Sequence, residues 1–208
     1  MRKTQTVLFI VALFLFSGCV GTNVTSQINK KNTDGHYGRL LVLVCFSDPN
    51  IRQQAEDKVC SDINRLSSCE CLKSYNLFFP GKGYTQNEAK EILTENKIDG
   101  ILIFQRSSGV ESNYDPETSK SIGRAFLMGN ALLGSNKTEA NGITNTARPS
   151  AKYRTTLLST SDNQIVWYAQ ASTTGIVLTT VDNLLENAST ETVKRLIDDG
   201  VITKKSNN

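Results

Sequence analysis

Five cysteines and one histidine are the residues of this chain with the most distinctive chemistry. The cysteines are Cys19, Cys45, Cys60, Cys69 and Cys71, and the histidine is His36. A structural zinc site takes about four such ligands, and a serine or cysteine nucleophile needs a neighbouring base. His36 stands in a polar stretch that does not suit either role, and a lysine base is only a formal alternative. We therefore predict no catalytic residue, no metal ligand, no cofactor and no enzymatic activity.

The N-terminal stretch has the layout of an export signal. Arg2 and Lys3 give a positive start, an unbroken apolar run covers residues 7–16, and Ser17 begins a short small-residue segment. This order of charge, apolar core and small residues is typical of a secretory signal peptide. The apolar run is too short to span a bilayer, which takes roughly 20 residues. We predict a signal peptide over residues 1–18.

The end of this stretch resembles the lipobox of bacterial lipoproteins, in which cleavage precedes a lipid-modified cysteine. Phe16 stands where leucine is usual, and Cys19 is the residue that would carry the diacylglycerol. The resemblance implies lipidation at Cys19 and attachment to a membrane. The alternatives are an ordinary signal with an incidental cysteine and an uncleaved anchor. Val20 follows instead of the aspartate that retains some lipoproteins in the inner membrane, which favours the outer membrane, facing the periplasm.

Charge gives no indication of nucleic acid binding. The chain has 23 basic and 20 acidic residues, a net charge of +3, and only 7% aromatic residues. Without Arg2 and Lys3 the mature chain would be close to neutral, and no basic run or basic helix face is present. A nucleic-acid-binding protein normally shows such a basic footprint, so we expect no nucleic acid partner.

The remaining cysteines are expected to meet an oxidising compartment, where disulfides persist. Cys60 lies near the end of a predicted helix, and Cys69 and Cys71 follow it closely. We predict a disulfide from Cys60 to either Cys69 or Cys71. Cys45 lies in a strongly apolar run and is predicted to be a buried thiol.

Residues 19–38 are rich in Asn, Lys, Thr, Ser and Gly. This composition predicts a flexible, lipidated tether. Residues 39–46 then form a continuous apolar run typical of a central strand covered on both faces. Asp48 followed by Pro49 predicts a helix start, and apolar residues recur after it at helical spacing. The two patterns indicate a first strand–helix unit.

The next segments predict a second unit of the same kind. Residues 72–79 are interpreted as a short strand, and Thr85 with Glu88 matches a capping box that begins a helix. Gly100 is interpreted as the glycine that ends this helix. Residues 101–104 are again fully apolar and predict a strand parallel to the first.

The pattern breaks over residues 106–150, which are rich in Ser, Asn, Gly and Thr. We interpret them as a flexible insertion with one short helix, or alternatively as an element that contacts a partner or a membrane. Residues 153–159 and 164–172 alternate as a hairpin around a polar turn. A last helix is predicted from near Thr180 to Asp199–Gly200, and residues 203–208 are expected to be a disordered tail.

These elements follow the order β-α-β-α-β-insertion-β-β-α. Parallel units followed by a hairpin predict an α/β (or α+β) fold with a mixed sheet of about five strands and helices packed on it. We assign residues 39–202 to a single domain. Within it Glu56, Asp62 and the pair Asp198–Asp199 are interpreted as charges on helix surfaces and helix ends.

Four segments carry a resemblance to a family of small envelope lipoproteins: LLVLVCFSDPN, NLFFP, KIDGILIF and TTLLSTSDNQIVWYAQAST. Their layout is similar to the α/β domains of curli-assembly-type lipoproteins and to the amino-terminal domain of the Tol translocation protein. The resemblance covers residues 40–104 and 151–202. It implies a domain that docks or assembles, and it transfers no site residue.

The leading hypothesis is a lipid-anchored protein of the bacterial envelope with a non-enzymatic accessory role. Its expected partners are the membrane, through the lipid on Cys19, and another envelope protein or further copies of this chain. One alternative is an oligomeric transport or secretion component of the outer membrane. It would require membrane strands from residues 106–150, which lack two alternating runs of about ten residues. Another alternative is a binding module for a small ligand.

Overall fold

A computed structural model describes residues 20–29, 36–46, 48–79, 82–107, 149–176 and 179–206. The elements in chain order are β1 Gly21–Ile28, β2 Arg39–Val44, α1 Pro49–Leu66, β3 Glu70–Lys73, α2 Ser74–Leu77, α3 Gln86–Glu95, β4 Gly100–Ser107, β5 Ser150–Ser159, β6 Ile165–Thr174 and α4 Val181–Asp198. The predicted mixed sheet with packed helices is confirmed, and within these ranges the sheet has six strands rather than about five. Residues 1–19, with the predicted signal peptide and Cys19, and residues 108–148, most of the predicted insertion, lie outside the described residues.

The strands follow the spatial order β1-β6-β5-β4-β2-β3. Strand β2 is parallel to β3 and to β4, which confirms the predicted pairing of the two apolar strands. The other pairs, β4 with β5, β5 with β6 and β6 with β1, are antiparallel. The C-terminal half of the chain therefore extends a small parallel sheet as an antiparallel meander, and β1 is added at its outer edge.

Two apolar cores cover the two faces of the sheet. On one face α1 and α4 pack against side chains from most strands, with Trp167, Phe104 and Tyr153 among the largest fully buried groups. On the other face α3 and the end of α2 cover β2 and β4, with Phe78 and Leu93 in this second core. Strands β2 and β4 are apolar on both sides because helices cover both of their faces.

Helix α1 forms as the sequence predicts at its start. The carboxylate of Asp48 accepts hydrogen bonds from the amides of Asn50 and Ile51, and Pro49 occupies the first turn. Ala55, Val59 and Ile63 are buried on one face, whereas Ile51 is 45% exposed. The apolar face thus begins one turn later than the spacing indicated.

The predicted flexible tether over residues 19–38 is wrong for its central part. Residues 21–28 form strand β1, which pairs with β6 over its whole length. The side chains of Val24 and Ile28 pack against the core, Ser26 between them is half-buried, and Thr25 and Gln27 are exposed. The polar composition is typical of a tether, but it is equally typical of an edge strand with one solvent-exposed face. Residues 30–35 lie outside the described part of the chain.

The segment predicted as one strand over 72–79 is divided. Strand β3 ends at Lys73, and residues Ser74–Leu77 form the short helix α2. Helix α3 begins with the predicted capping box of Thr85 and Glu88 but ends at Glu95. Gly100 therefore does not end the helix. It is the first residue of β4, where a Cβ atom would come within 2.7 Å of Leu40 Cδ2.

The last part of the chain agrees with the prediction up to its end. Strands β5 and β6 form the hairpin, Thr180 caps α4, and Gly200 follows that helix with a φ of 72°. The predicted disordered tail over 203–208 is wrong for its first residues. Lys204 forms a β-bridge with Ser67, and the amide of Lys205 donates to the carbonyl of Leu66. This pairing joins the C-terminal residues to the end of α1.

Candidate functional site

Strand β1 begins directly after the predicted lipidation site. Gly21 pairs with Thr174, the last residue of β6, and Thr174 also pairs with Ser150, the first residue of β5. Three strand ends therefore lie together at one end of the sheet, which we call the anchor end. Only Val20 separates Cys19 from this group in the sequence.

Short-range hydrogen bonds hold the anchor end together. The hydroxyls of Thr22 and Thr173 are 2.7 Å apart, and the Thr173 hydroxyl also donates to the Gly21 carbonyl at 3.4 Å. The amide of Gly175 donates to the carbonyl of Pro149 at 2.8 Å. Ile176, the next residue, is a large apolar side chain that is 42% exposed.

The C-terminal half of β1 is held to the domain by a hydrogen bond from Ser26 to Asp199. One oxygen of this carboxylate accepts hydrogen bonds from the Ser26 hydroxyl at 2.6 Å and from Trp167 Nε1 at 2.7 Å. Arg195 donates from Nε to the Ser26 hydroxyl at 2.7 Å and lies 3.1 Å from the other Asp199 oxygen. Asp199 does follow a helix, as predicted, but it also joins β1, β6 and the end of α4.

The outer edge of β1 is its second distinctive feature. Within the part of the chain that the structure describes, β1 pairs with β6 and with no other strand. The amide of Asn29 donates inward to the carbonyl of Val166. Because antiparallel pairing alternates, the backbone groups of Thr22, Val24 and Ser26 point outward. The strand contains neither lysine nor proline, residues that often protect sheet edges.

Glu56 is fully buried, so its interpretation as a helix-surface charge is wrong. Its Oε1 accepts hydrogen bonds from Arg52 Nε at 3.0 Å, the Ser74 hydroxyl at 2.6 Å and the Val44 amide at 3.3 Å. Its Oε2 accepts from the Tyr75 amide at 3.1 Å. The carboxylate thus joins α1 to the end of β2 and to α2.

Asp57, the next residue, forms a half-buried cluster with Lys73 and Tyr75, both of which donate to its carboxylate. Partial burial raises the pKa of Asp57, but the hydrogen bonds from Lys73 and Tyr75 outweigh it and lower that pKa overall. The hydrogen bond with Asp57 raises the pKa of Lys73. Both shifts favour the charged pair, which is the behaviour of a surface ion pair rather than of an acid–base catalyst.

Asp62 is also fully buried, which again contradicts the surface interpretation. Its Oδ2 accepts hydrogen bonds from the hydroxyls of Ser189 at 3.1 Å and Thr190 at 2.9 Å on α4. Its Oδ1 pairs with Arg65 at 2.7 Å and with Lys58 at 3.5 Å. Asp62 therefore links α1 to α4, and its oxygens are used by structural donors.

The cysteines follow the predicted arrangement in part. Cys60 is bonded to Cys71, one of the two predicted partners. Cys69 is a buried thiol, and burial raises its pKa to about 12, which leaves it protonated and unreactive at neutral pH. Cys45, at the end of β2, is exposed as a residue, but desolvation raises the pKa of its thiol to about 12, so that the sulfur itself is shielded as the sequence predicted.

The predicted site residue Cys19 lies outside the described residues, so its lipidation stays a prediction. His36 is described and exposed. Among the described residues, no group of three or more His, Cys, Asp or Glu side chains could hold a metal ion. Nor does any helix of the described ranges have both the length and the apolarity to cross a membrane.

Sequence reasoning missed the edge strand β1 and the two buried carboxylates. A signal for β1 was present: Val24 and Ile28 alternate with polar residues at a spacing that suits one buried face. Neither Glu56 nor Asp62 has a comparable signal, because their partners Ser74 and Ser189 come from other elements.

Three solved structures share the general layout of the chain. Two crystal forms of the PelC dodecamer from Paraburkholderia phytofirmans have TM-scores of 0.49 and 0.46, at 10% and 12% identity. Each match covers 85% of this chain and 98% or 95% of the PelC chain. The lipoprotein GNA1162 from Neisseria meningitidis has a TM-score of 0.41 at 9% identity, over 77% of this chain and 99% of its own.

No protein-family model and no curated protein matches this chain. The resemblance to curli-assembly and Tol amino-terminal domains therefore stays a prediction. The TM-scores of these three structures lie below 0.5, so the function is inferred from the residues of the chain itself.

Proposed function

We propose that this chain is a lipid-anchored, non-enzymatic accessory protein of the bacterial envelope that docks through the outer edge of β1. The observation that carries the proposal is the position of an eight-residue edge strand immediately after the predicted lipid cysteine. The anchor would hold the protein at a membrane surface, and the strand edge would present backbone donors and acceptors to a partner there.

The anchor rests on the order of residues at the N-terminus. Arg2 and Lys3, the apolar run of residues 7–16 and the terminal Cys19 together suit a lipoprotein signal. Val20 supports the outer membrane, on its periplasmic side. Buried carboxylates with several structural donors, such as Glu56, support an accessory rather than a catalytic role.

The docking mode rests on the backbone of β1. An exposed sheet edge binds an extended segment of a partner by adding a strand, with main-chain hydrogen bonds supplying the affinity. Strand β1 is held rigidly from behind by β6 and by the Asp199 hydrogen bonds. A pre-ordered edge loses little conformational entropy on binding, which favours a stable complex. The partner is either another envelope protein or a second copy of this chain.

The test places one lysine at the edge strand and one at a matched position inside the sheet. Thr25 on β1 and Gln170 on β6 are exposed cross-strand neighbours on the same face. Thr25→Lys adds a charge beside the edge and should reduce cross-linked complexes several-fold in intact cells, because edge charges oppose strand addition. Gln170→Lys should leave them unchanged, since a partner strand would not lie beside it.

Cross-linking yields that are equal in wild type and Thr25→Lys would contradict docking at β1. The mass of the cross-linked product would also identify its composition. A product containing only this chain indicates self-association, and one containing a second protein indicates a heterologous partner. A single high-order ring would instead favour the oligomeric transport component.

A further inference from the structure

The position of β1 determines which end of the domain lies nearest the membrane. Gly21 is paired in the sheet, and Cys19 precedes it by two residues. Two residues of extended chain span at most about 7 Å. If Cys19 carries the lipid, as the proposed function requires, the lipid is attached within this distance of the anchor end. A flexible tether over residues 19–38 would have allowed any orientation, but the strand removes that freedom.

The anchor end has a surface that suits a bilayer. Ile176 follows the last residue of β6 and is 42% exposed, and hydroxyl side chains surround the strand ends. Among the described residues at the ends of β1, β5 and β6, which are 20–23, 149–152 and 172–176, Lys152 is the only charged side chain. Ser107, the last residue of β4, pairs with Lys152, and the undescribed residues 108–148 follow it. The first carboxylate after β6 is that of Asp182, in the first turn of α4. Burial raises the pKa of the Tyr153 phenol on β5 most, and Asp182 lies near enough to help raise it. A surface of this kind can approach anionic lipid headgroups without strong repulsion.

We propose that the anchor end, formed by Gly21, Ser150 and Thr174 with Ile176 beside them, lies against the lipid bilayer surface. The strands of the sheet then stand upright on the membrane. The hairpin turn between β5 and β6, with Asp162 and Gln164, lies at the far end of the domain. The outer edge of β1 runs from the membrane outward, so that it is open to a partner on the same membrane.

The orientation can be measured by fluorescence quenching with the full-length lipidated protein. Ile176→Trp places a reporter at the anchor end, and Gln164→Trp places one at the far end. Both positions are exposed, and they are separated by the ten residues of β6, about 30 Å. Trp167, the one native tryptophan, is fully buried and sets the background in wild type.

The probe is a vesicle of phosphatidylcholine with brominated acyl chains, which quench tryptophan at short range. We expect strong quenching of Ile176→Trp beyond the wild-type background and no added quenching of Gln164→Trp. Equal quenching at both positions, or none above background at position 176, would overturn the proposed orientation. Unchanged thermal unfolding of each variant confirms that the fold is intact.

The mass of the N-terminal peptide from the same samples shows whether Cys19 carries a lipid. It therefore distinguishes a failure of the proposed orientation from a failure of the proposed function. A lipid on Cys19 without quenching at position 176 overturns the orientation alone. An unmodified Cys19 overturns the lipid anchor, and with it the premise of the orientation.

Discussion

Gly100 illustrates how close the backbone comes to neighbouring side chains at the start of β4. A Cβ atom at this position would lie 2.7 Å from Leu40 Cδ2, 2.8 Å from Tyr37 Cδ1 and 3.0 Å from Leu157 Cδ1. We expect Gly100→Ala to lower the free energy of unfolding by about 1–3 kcal/mol, the usual cost of overpacking a core. Denaturant unfolding followed by circular dichroism measures this loss.

The matched control is Gly83→Ala. A Cβ atom there would have no heavy atom within 4 Å among the described residues. We expect a change within about 0.5 kcal/mol. A Gly100→Ala variant as stable as this control would show that β4 can shift away from Leu40 without cost.

The thiols differ in their expected reactivity. Cys45 is exposed as a residue and Cys69 is 3% exposed, whereas Cys60 is bonded to Cys71. Desolvation raises the pKa of both free thiols to about 12. Both free thiols are therefore protonated at pH 8, and a thiol-alkylating reagent should modify Cys45, the accessible one, slowly in the native protein and Cys69 only after unfolding. Reduction should be needed to expose Cys60 and Cys71. Peptide mass spectrometry locates each modification.

The pH dependence of stability follows from the same pKa. An unfolded cysteine has a pKa of about 8.5, so the buried Cys69 thiol stabilises the fold fully below this value. The contribution is lost as the pH rises from there towards about 12.

Native-state alkylation of Cys69 as fast as that of Cys45 would contradict the burial of its thiol.

At the scale of elements, buried carboxylates connect helices to strands. Glu56 joins α1 to the ends of β2 and α2, and its partner Arg52 has a side chain that is only 12% exposed. Glu56→Gln removes the charge and turns an amide group towards hydrogen-bond donors. We expect the free energy of unfolding to fall by about 3 kcal/mol, as for other broken buried ion pairs.

Glu91→Gln is the control, because Glu91 is exposed on α3 and should change the stability by less than about 0.5 kcal/mol. Thermal or denaturant unfolding of the two variants gives the comparison. Equal stability of both would mean that Glu56 contributes no more than a surface charge.

The elements that sequence could predict are those governed by local rules. Asp48, Thr85 and Thr180 each cap the helix that follows because their side chains reach amides two or three residues away. Strand β1 was missed because its stability comes from β6, more than 130 residues later in the chain. The length of α3 was also misjudged, since Gly100 is required by packing and not by a helix end.

At the scale of the whole molecule, the edge strand β1 and the hairpin of β5 and β6 form one antiparallel unit, and the predicted anchor Cys19 precedes β1 by two residues. Strand β1 is the edge strand beside β6, and the hydrogen bond from Ser26 to Asp199 joins it to the end of α4. The proposed membrane attachment and the proposed docking edge would thus be adjacent in the same part of the chain. The sequence predicts lipidation at Cys19 but does not predict strand β1 beside it, because composition does not reveal pairing between distant segments.

The central claim is that the mature chain begins at a lipid-modified Cys19 and remains attached to the membrane. The most direct measurement is the mass of the N-terminal peptide of the protein extracted from bacterial membranes. We predict a peptide that begins at Cys19 and carries a diacylglycerol, and a Cys19→Ala variant that retains the signal residues and takes up no labelled fatty acid. An N-terminal peptide that begins elsewhere, or an unmodified Cys19, would contradict the account.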